Sequence, residues 1–391
     1  NNGKIVALGS DEDFTVSDGV LLSYNGAGGE VVIPAGVETI GQSAFQNCKT
    51  VTKVTLNDEL ESIDAYAFNG CSGLESITFS EGLTSIGSSA FSGCSGLTEL
   101  TLNAELEAIG DSAFQNCTKL ETINFNGNLK TIGNNAFYSC TGLIGDLEIP
   151  ENVTMIGTYA FYNCTGINGK LTVEGNVNGT TIGNYAFYNC TKISSLELGD
   201  GITSIGSGAF SGCAGIKGDL VIPDSVTSIG STAFENCTGI DGTLTLSSNL
   251  TIIPTYAFQN CRNITGELVI PDKVTTIDDY SFRNCMKITS IVFGESVQTV
   301  GSYMFAYSNS SYTNKAIKEI TFKGTKVPNG YFLSYINTSL EKVYVPTKSY
   351  NDCVVSFASY VNNGRVMMSD SESADEFVIS KKILLLYQGN G

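Results

Sequence analysis

The sequence predicts a solenoid of about fourteen stacked coils, mostly β, with a parallel sheet along a concave face and short turns or helical segments elsewhere. Three observations predict it. The string Ala-Phe-x-x-Cys recurs at near-constant spacing. Within one unit the apolar residues follow a two-residue period, and no 3.6-residue period is sustained. A unit this short cannot bury its own side chains, so neighbouring coils must cover them.

The repeated Phe stands at Phe45, Phe68, Phe91, Phe114, Phe137, Phe161, Phe187, Phe210, Phe234, Phe258, Phe282 and Phe305, with steps of 23 to 26 residues. That range is the one leucine-rich repeats occupy, so the fold class is a leucine-rich-repeat solenoid. In the unit Cys94 to Cys117, Leu100-x-Leu102 has the period of a strand. Aligned strands run from Val31-Val32-Ile33 to Val343-Tyr344-Val345. Stacked, they form one parallel sheet at about 4.8 Å per coil.

Three columns carry backbone information. The residue before each repeat Cys is Asn, Gly or, at Ser139, Ser, which predicts positive φ there. The residue after the repeat Ile is mostly Gly (41, 87, 110, 133) but becomes Pro254 and Pro328, which cannot take positive φ. That column therefore marks close approach between coils. Gly145, Gly169, Gly218, Gly242 and Gly266 each add a residue before a strand, which suggests a bulge.

The ends need covers. Phe14-Thr15-Val16 and Val20-Leu21-Leu22 flank Asp18-Gly19, a hairpin signal, so residues 1–29 are expected to be an N-terminal β cap. Repeats then span 30–346. Tyr350, Cys353, Val354, Phe357 and Tyr360 share one helical face, which predicts a C-terminal cap helix over 347–364. Residues 365–391 read as a linker and the start of a second cap or module, because Phe377-x-Ile379 and Ile383-Leu384-Leu385 repeat the Phe14 to Leu22 pattern at a constant offset. The alternative is a native strand folding back on the cap.

Acidic residues outnumber basic ones 39 to 21, for a formal charge of −18. That surface disfavours phosphate backbones, so no nucleic-acid partner is expected. No apolar run reaches the roughly 20 residues of a membrane helix, so this segment does not insert directly into a membrane. No targeting signal is visible, and the chain opens Asn1-Asn2-Gly3 without Met, as a processed or trimmed chain would. There is no His, which removes Ser-His-Asp, Cys-His and His-ligated metal chemistry. No catalytic residue, metal or cofactor is expected. An enzyme using paired carboxylates is the remote alternative.

The unit Ile-Gly-x-x-Ala-Phe-x-x-Cys-x-x-Leu-x-x-Leu-x-Leu, with Ile-Pro before the next turn as in Ile222-Pro223, resembles the BspA-like leucine-rich repeat family over about residues 30 to 346. It departs from the commoner consensus, because Cys here precedes the first Leu by three residues. The resemblance implies a secreted or cell-surface protein of a host-associated bacterium or protist. It also implies adhesin-like binding of a protein or glycan. A passive spacer that displays another module is the alternative.

Three sets of residues are candidates for function. On the sheet's outward face stand Lys53, Thr55, Thr78, Glu99, Thr101, Asn124, Asp146, Glu148, Lys170, Thr172 and Glu197. Around the Ala-Phe turn, Tyr138, Tyr159, Tyr162, Tyr185 and Tyr188 would form aromatic rows, either as a contact surface or as plain inter-coil stacking. The ladder Cys48, Cys71, Cys94, Cys117, Cys140, Cys164, Cys190, Cys213, Cys237, Cys261 and Cys285 reads as structural: buried thiols acting as small apolar groups, one per coil, without disulfide or metal spacing. The lengthened coils at Glu174 to Gly179 and Ser308 to Ala316 are read as tolerated insertions, with a binding face built from the inserted loops as the alternative.

Overall fold

The computed structural model describes residues 11–103, 105–306, 316–324, 328, 332, 336, 340–344, 366–369 and 376–379. The expected cap helix over 347–364 and nearly all of the Ser308 to Ala316 insertion lie outside them. The chain is a β-solenoid of about 13 turns with parallel sheets. It divides into two compact units, 1–215 and 216–391.

In the first unit each coil contributes two strands rather than the single one read from sequence. The longer strand pairs in parallel with its neighbours, as in Gly29–Val32 on Val51–Thr55 on Ser76–Thr78, or Leu147–Ile149 on Lys170–Val173 on Ser195–Leu198. A second parallel column forms from two-residue strands: Thr39–Ile40, Ser62–Ile63, Ser85–Ile86, Ala108–Ile109 and Thr131–Ile132. Its Ile side chains are buried in every coil. Two residues are too few to display a period, which is why this sheet escapes sequence reading.

The turn between the two sheets provides a third ladder. The N–H groups of Ser43, Phe45 and Asn47 donate to the carbonyls of Ala65, Ala67 and Asn69 at 3.2, 2.7 and 2.7 Å. The next coil repeats this, from Tyr66, Phe68 and Gly70 to Ser88, Ala90 and Ser92. Positive φ turns these amides along the stack. All eleven residues before the repeat Cys have it, from 56° at Ser139 to 80° at Gly212. A second positive-φ column, two residues before Phe, was not legible in sequence because it includes Tyr66, Tyr159, Tyr185, Tyr256 and Tyr280. Bulky residues take this conformation only when their surroundings impose it.

The Gly column after Ile serves close approach, as its Pro members require. A Cβ built on Gly110, Gly133, Gly157, Gly183 or Gly206 would fall 2.5–2.6 Å from backbone atoms of the preceding coil. Gly133→Val should therefore lose about 3 kcal/mol or more of stability, since backbone cannot move aside like a side chain. Urea unfolding would check this, and a loss under about 1 kcal/mol would contradict it. The five added glycines are mixed. Gly145, Gly218 and Gly266 take positive φ, and of the five only Gly266, at Gly266/Glu267, marks a shift in ladder register.

At the N-terminal end, Phe14–Ser17 pairs antiparallel with Val20–Tyr24 across Asp18 and Gly19, which have φ of 51° and 75°. Two positive φ values match a two-residue hairpin turn. Val20–Tyr24 also pairs in parallel with Thr39–Ile40, and the Tyr24 ring stacks on Phe45 at 4.8 Å. From there Phe45, Phe68, Phe91, Phe114, Phe137, Phe161, Phe187 and Phe210 stack in single file at 4.7 to 5.4 Å.

In the second unit Phe234, Phe258 and Phe282 stack in the same way, at 5.5 and 5.3 Å. Its longest sheet joins Thr265–Ile270, Lys287–Phe293, Glu319–Phe322 and Lys342–Tyr344. Val366–Ser369 continues this sheet, and Glu376–Ile379 pairs antiparallel with it. Phe377 to Ile379, matched in sequence to Phe14 to Val16, thus joins a strand pair at that sheet's edge.

Candidate functional site

Most coils expose, at least in part, two positions at the Ala-Phe turn: the positive-φ residue two before Phe, and the residue after Phe. In most coils of the first unit these are small or amide residues. In three successive coils the residue after Phe is tyrosine, and in the last two of them the residue two before Phe is tyrosine as well; the structure brings all five predicted tyrosines into one cluster. Tyr138, Tyr162 and Tyr188 stack at 4.8 and 4.9 Å, within 7° of parallel. Tyr159 and Tyr185 stack beside them at 5.2 Å. The two rows meet edge to face, Tyr159 on Tyr162 at 5.4 Å and Tyr185 on Tyr188 at 5.8 Å. All five remain half-exposed.

The rings both stack between coils and form a surface, so the two readings of the sequence are compatible. Burial, and then the nearby hydroxyls of Tyr188, Tyr138 and Tyr159, raise the Tyr162 pKa, so Tyr162 stays uncharged at neutral pH. Beside it Asn189 donates its side-chain amide to Asn163 Oδ1 at 2.7 Å. The result is a rigid aromatic patch edged with hydroxyls and amides.

The predicted sheet face is also assembled in register. Thr55 lies beside Thr78, Thr101 beside Asn124, and Thr172 between Glu148 and Glu197, all at least partly exposed. Lys53 and Glu99 stand exposed one outward position earlier on their strands. Much of this face is committed to the fold, however. Lys170 is paired with Glu197. Asp146 Oδ1 accepts the Lys170 N–H at 2.7 Å, so Asp146 caps the neighbouring coil. No aromatic or Arg side chain stands among these eleven residues to anchor a partner.

The BspA type leucine rich repeat region, in six copies, matches residues 24–144, 142–265, 180–312 and 217–353. The chain belongs to this family. Among solved structures, a BspA-type chain of this kind is similar to a leucine-rich repeat protein from Bacteroides ovatus. Identity is 23%, covering 91% of this chain and 96% of that one, with a TM-score of 0.61. It is also similar to a leucine rich cell surface protein from Faecalibacterium prausnitzii, at 24% identity over 81% and 94% of the two chains and a TM-score of 0.41. A third is the pneumococcal vaccine antigen PcpA, at 21% identity over 91% and 94% and a TM-score of 0.48. No curated protein matches the chain.

The cysteine column of the BspA-type unit needs a correction. These residues are thiols, not disulfides, and all but Cys48 are buried. They are not merely small apolar groups. The Sγ of Cys71, Cys94, Cys117, Cys140, Cys164, Cys190, Cys213, Cys261 and Cys285 donates to the Phe carbonyl of the preceding coil, for example Cys71 to Phe45 at 3.0 Å, Cys94 to Phe68 at 3.2 Å, Cys117 to Phe91 at 3.3 Å and Cys140 to Phe114 at 3.1 Å. The ladder therefore ties coils together through S–H donors, a role no apolar residue can fill. Burial pushes the thiols of Cys71, Cys190 and Cys261 up to about 12. The thiolate is the nucleophile, so the buried thiols are unreactive in the fold. Iodoacetamide at mild alkaline pH should label, of the eleven ladder thiols, only Cys48 until the chain unfolds. Peptide mass spectrometry would check this, and native labelling of Cys117 or Cys190 would contradict it.

The insertion at Glu174 to Gly179 is a built turn. Asn176 is buried, donates to the Glu151 carbonyl at 2.9 Å and accepts the Asn178 N–H at 2.8 Å. Thr180 Oγ1 accepts the Asn176 N–H at 2.7 Å and donates to the Val153 carbonyl at 2.6 Å. Val177 at its tip is 95% exposed. Among the described residues no three His, Cys, Asp or Glu side chains are grouped to hold a metal, and no helix is long and apolar enough to cross a membrane.

Proposed function

We propose that this BspA-type chain is an extracellular or cell-surface scaffold that binds a protein or glycan through the patch of Tyr138, Tyr159, Tyr162, Tyr185 and Tyr188. One observation carries the reading: five half-exposed tyrosine rings lie within 4.8 to 5.8 Å of one another in two fixed rows. Rings already held by stacking lose little conformational freedom when a partner arrives. Tyrosine also offers apolar area and a polar tip together, which suits either a protein or a glycan. The sheet face carries the competing reading, weakened by the internal use of Lys170, Glu197 and Asp146.

A panel of matrix proteins and glycans, probed with the purified chain and with Tyr162→Ala, tests the proposal. Tyr162→Ala should weaken a retained ligand by about 30-fold; it also breaks two stacked ring pairs and one edge-to-face pair, so binding is compared well below the variant's own, lowered melting transition. No retained ligand supports the spacer reading. A ligand held equally well by Tyr162→Ala but lost on charge reversal at Lys53, Glu99 and Lys170 moves the site to the sheet face.

A further inference from the structure

The outward column of the longer sheet changes character in the second unit. In the first unit it reads Val32, Thr55, Thr78, Thr101, Asn124, Glu148, Thr172 and Glu197, with one exposed valine, at its N-terminal end. In the second, Val221 stands beside Thr245, and Val269 beside Val292. Val221 is 53% exposed and Val269 41% exposed, although each strand buries its other apolar side chains almost completely. Val269 and the partly exposed Val292 stand on neighbouring strands, and Val221 is separated from them by Thr245, so these side chains, where Thr would pack the sheet equally well, make an apolar stripe with one polar interruption and no structural task.

Acids border the stripe on both sides. One outward position earlier on the strands stand Asp219, Glu267 and Glu319. Just past the strand ends lie Asp224, Asp272 and Glu295. Asp219 and Asp224 cap neighbouring coils as Asp146 does, accepting the Thr243 N–H at 2.6 Å and the Ser248 N–H at 2.7 Å; these bonds lower both pKa values, so the two contribute fixed negative charge to the margin rather than free ligand groups. The nearby cations are partly neutralised, Lys342 by Glu319 at 3.7 Å and Lys323 by Asp272 at 3.4 Å. An apolar strip between two negative margins has a definite complement: an apolar strip between two positive margins.

We propose that this face of the second unit docks a cationic amphipathic peptide segment, its apolar side on Val221, Val269 and Val292 and its Lys or Arg side chains on the flanking carboxylates. This surface and partner class are independent of the tyrosine patch. A chain of charge −18 attracts any cation loosely, so the experiment must separate docking from bulk attraction.

The probe is a synthetic Leu/Lys peptide with one Leu stripe between Lys margins, compared with a scrambled peptide of the same composition. By calorimetry at physiological salt, the patterned peptide should bind at least about tenfold more tightly than the scrambled one. Val221→Lys/Val269→Lys and Glu267→Lys/Glu319→Lys should each weaken it by at least about tenfold, with melting transitions confirming the fold. Glu81→Lys/Glu105→Lys, the same charge change in the first unit, should change affinity by less than about twofold. Tyr162→Ala should not matter. Equal binding of the scrambled peptide, equal loss from the Glu81/Glu105 pair, or no binding by the wild-type chain would overturn the proposal.

Discussion

Raising the pH above about 9 is expected to destabilise the folded chain steeply, by about 4 kcal/mol for each pH unit from three thiols alone. The thiols of Cys71, Cys190 and Cys261 titrate near 12 in the fold, against an ordinary value of 9.0. Between those values the unfolded chain has released three protons that the folded chain still holds. Stability from this source is therefore complete below about pH 9 and is lost as the pH rises toward 12. Burial raises the thiols of Cys94, Cys117, Cys164, Cys213 and Cys285 in the same direction, which steepens the slope. Urea melts at about pH 7, 9, 10 and 11 would measure it, with return to pH 7 restoring the original curve. A midpoint unchanged up to about pH 10.5 would mean that the thiols are hydrated, not buried donors.

Phe137→Ala should be among the most damaging single substitutions, at about 3 to 5 kcal/mol. The ring is fully buried between Phe114 at 5.3 Å and Phe161 at 5.0 Å, with the edge of Phe125 at 5.8 Å. Its removal opens a cavity and breaks two stacked pairs and one edge-to-face pair, each worth about 0.5–1.5 kcal/mol beyond buried area. The backbone around it is fixed by inter-coil hydrogen bonds on both sides, so the site cannot collapse. Phe137→Leu should recover part of the loss. Urea unfolding that shows less than about 1 kcal/mol for Phe137→Ala would contradict a core held by this single file.

The period, the strand with its outward column, and the left-handed Asn and Gly before each Cys were all legible in the sequence, because each recurs at one fixed offset with a residue type suited to it. What stayed hidden depends on relations between coils. The acceptor for the Cys71 thiol is Phe45, 26 residues upstream and one coil away. The Ser-Ile strands are two residues long and have no pattern of their own. Tyr159 and Tyr185 sit at positive φ, where nothing in a tyrosine announces it. The same holds for the candidate surfaces. The tyrosines could be named from sequence, but their convergence on one patch depends on one column being aromatic in three successive coils and the other in the last two of them. Conversely, Asp146 looked available as an exposed acid, and only the hydrogen bond it accepts from the next coil shows its structural use.

Hydrogen exchange on the complex with whichever panel ligand the chain retains tests the central claim most directly. Binding at the tyrosine patch predicts added protection confined to the Ala-Phe turns around Tyr138, Tyr162 and Tyr188, with the strands bearing Thr55, Thr78 and Thr101 unchanged. Protection confined to those strands, with the three turns unaffected, would contradict it.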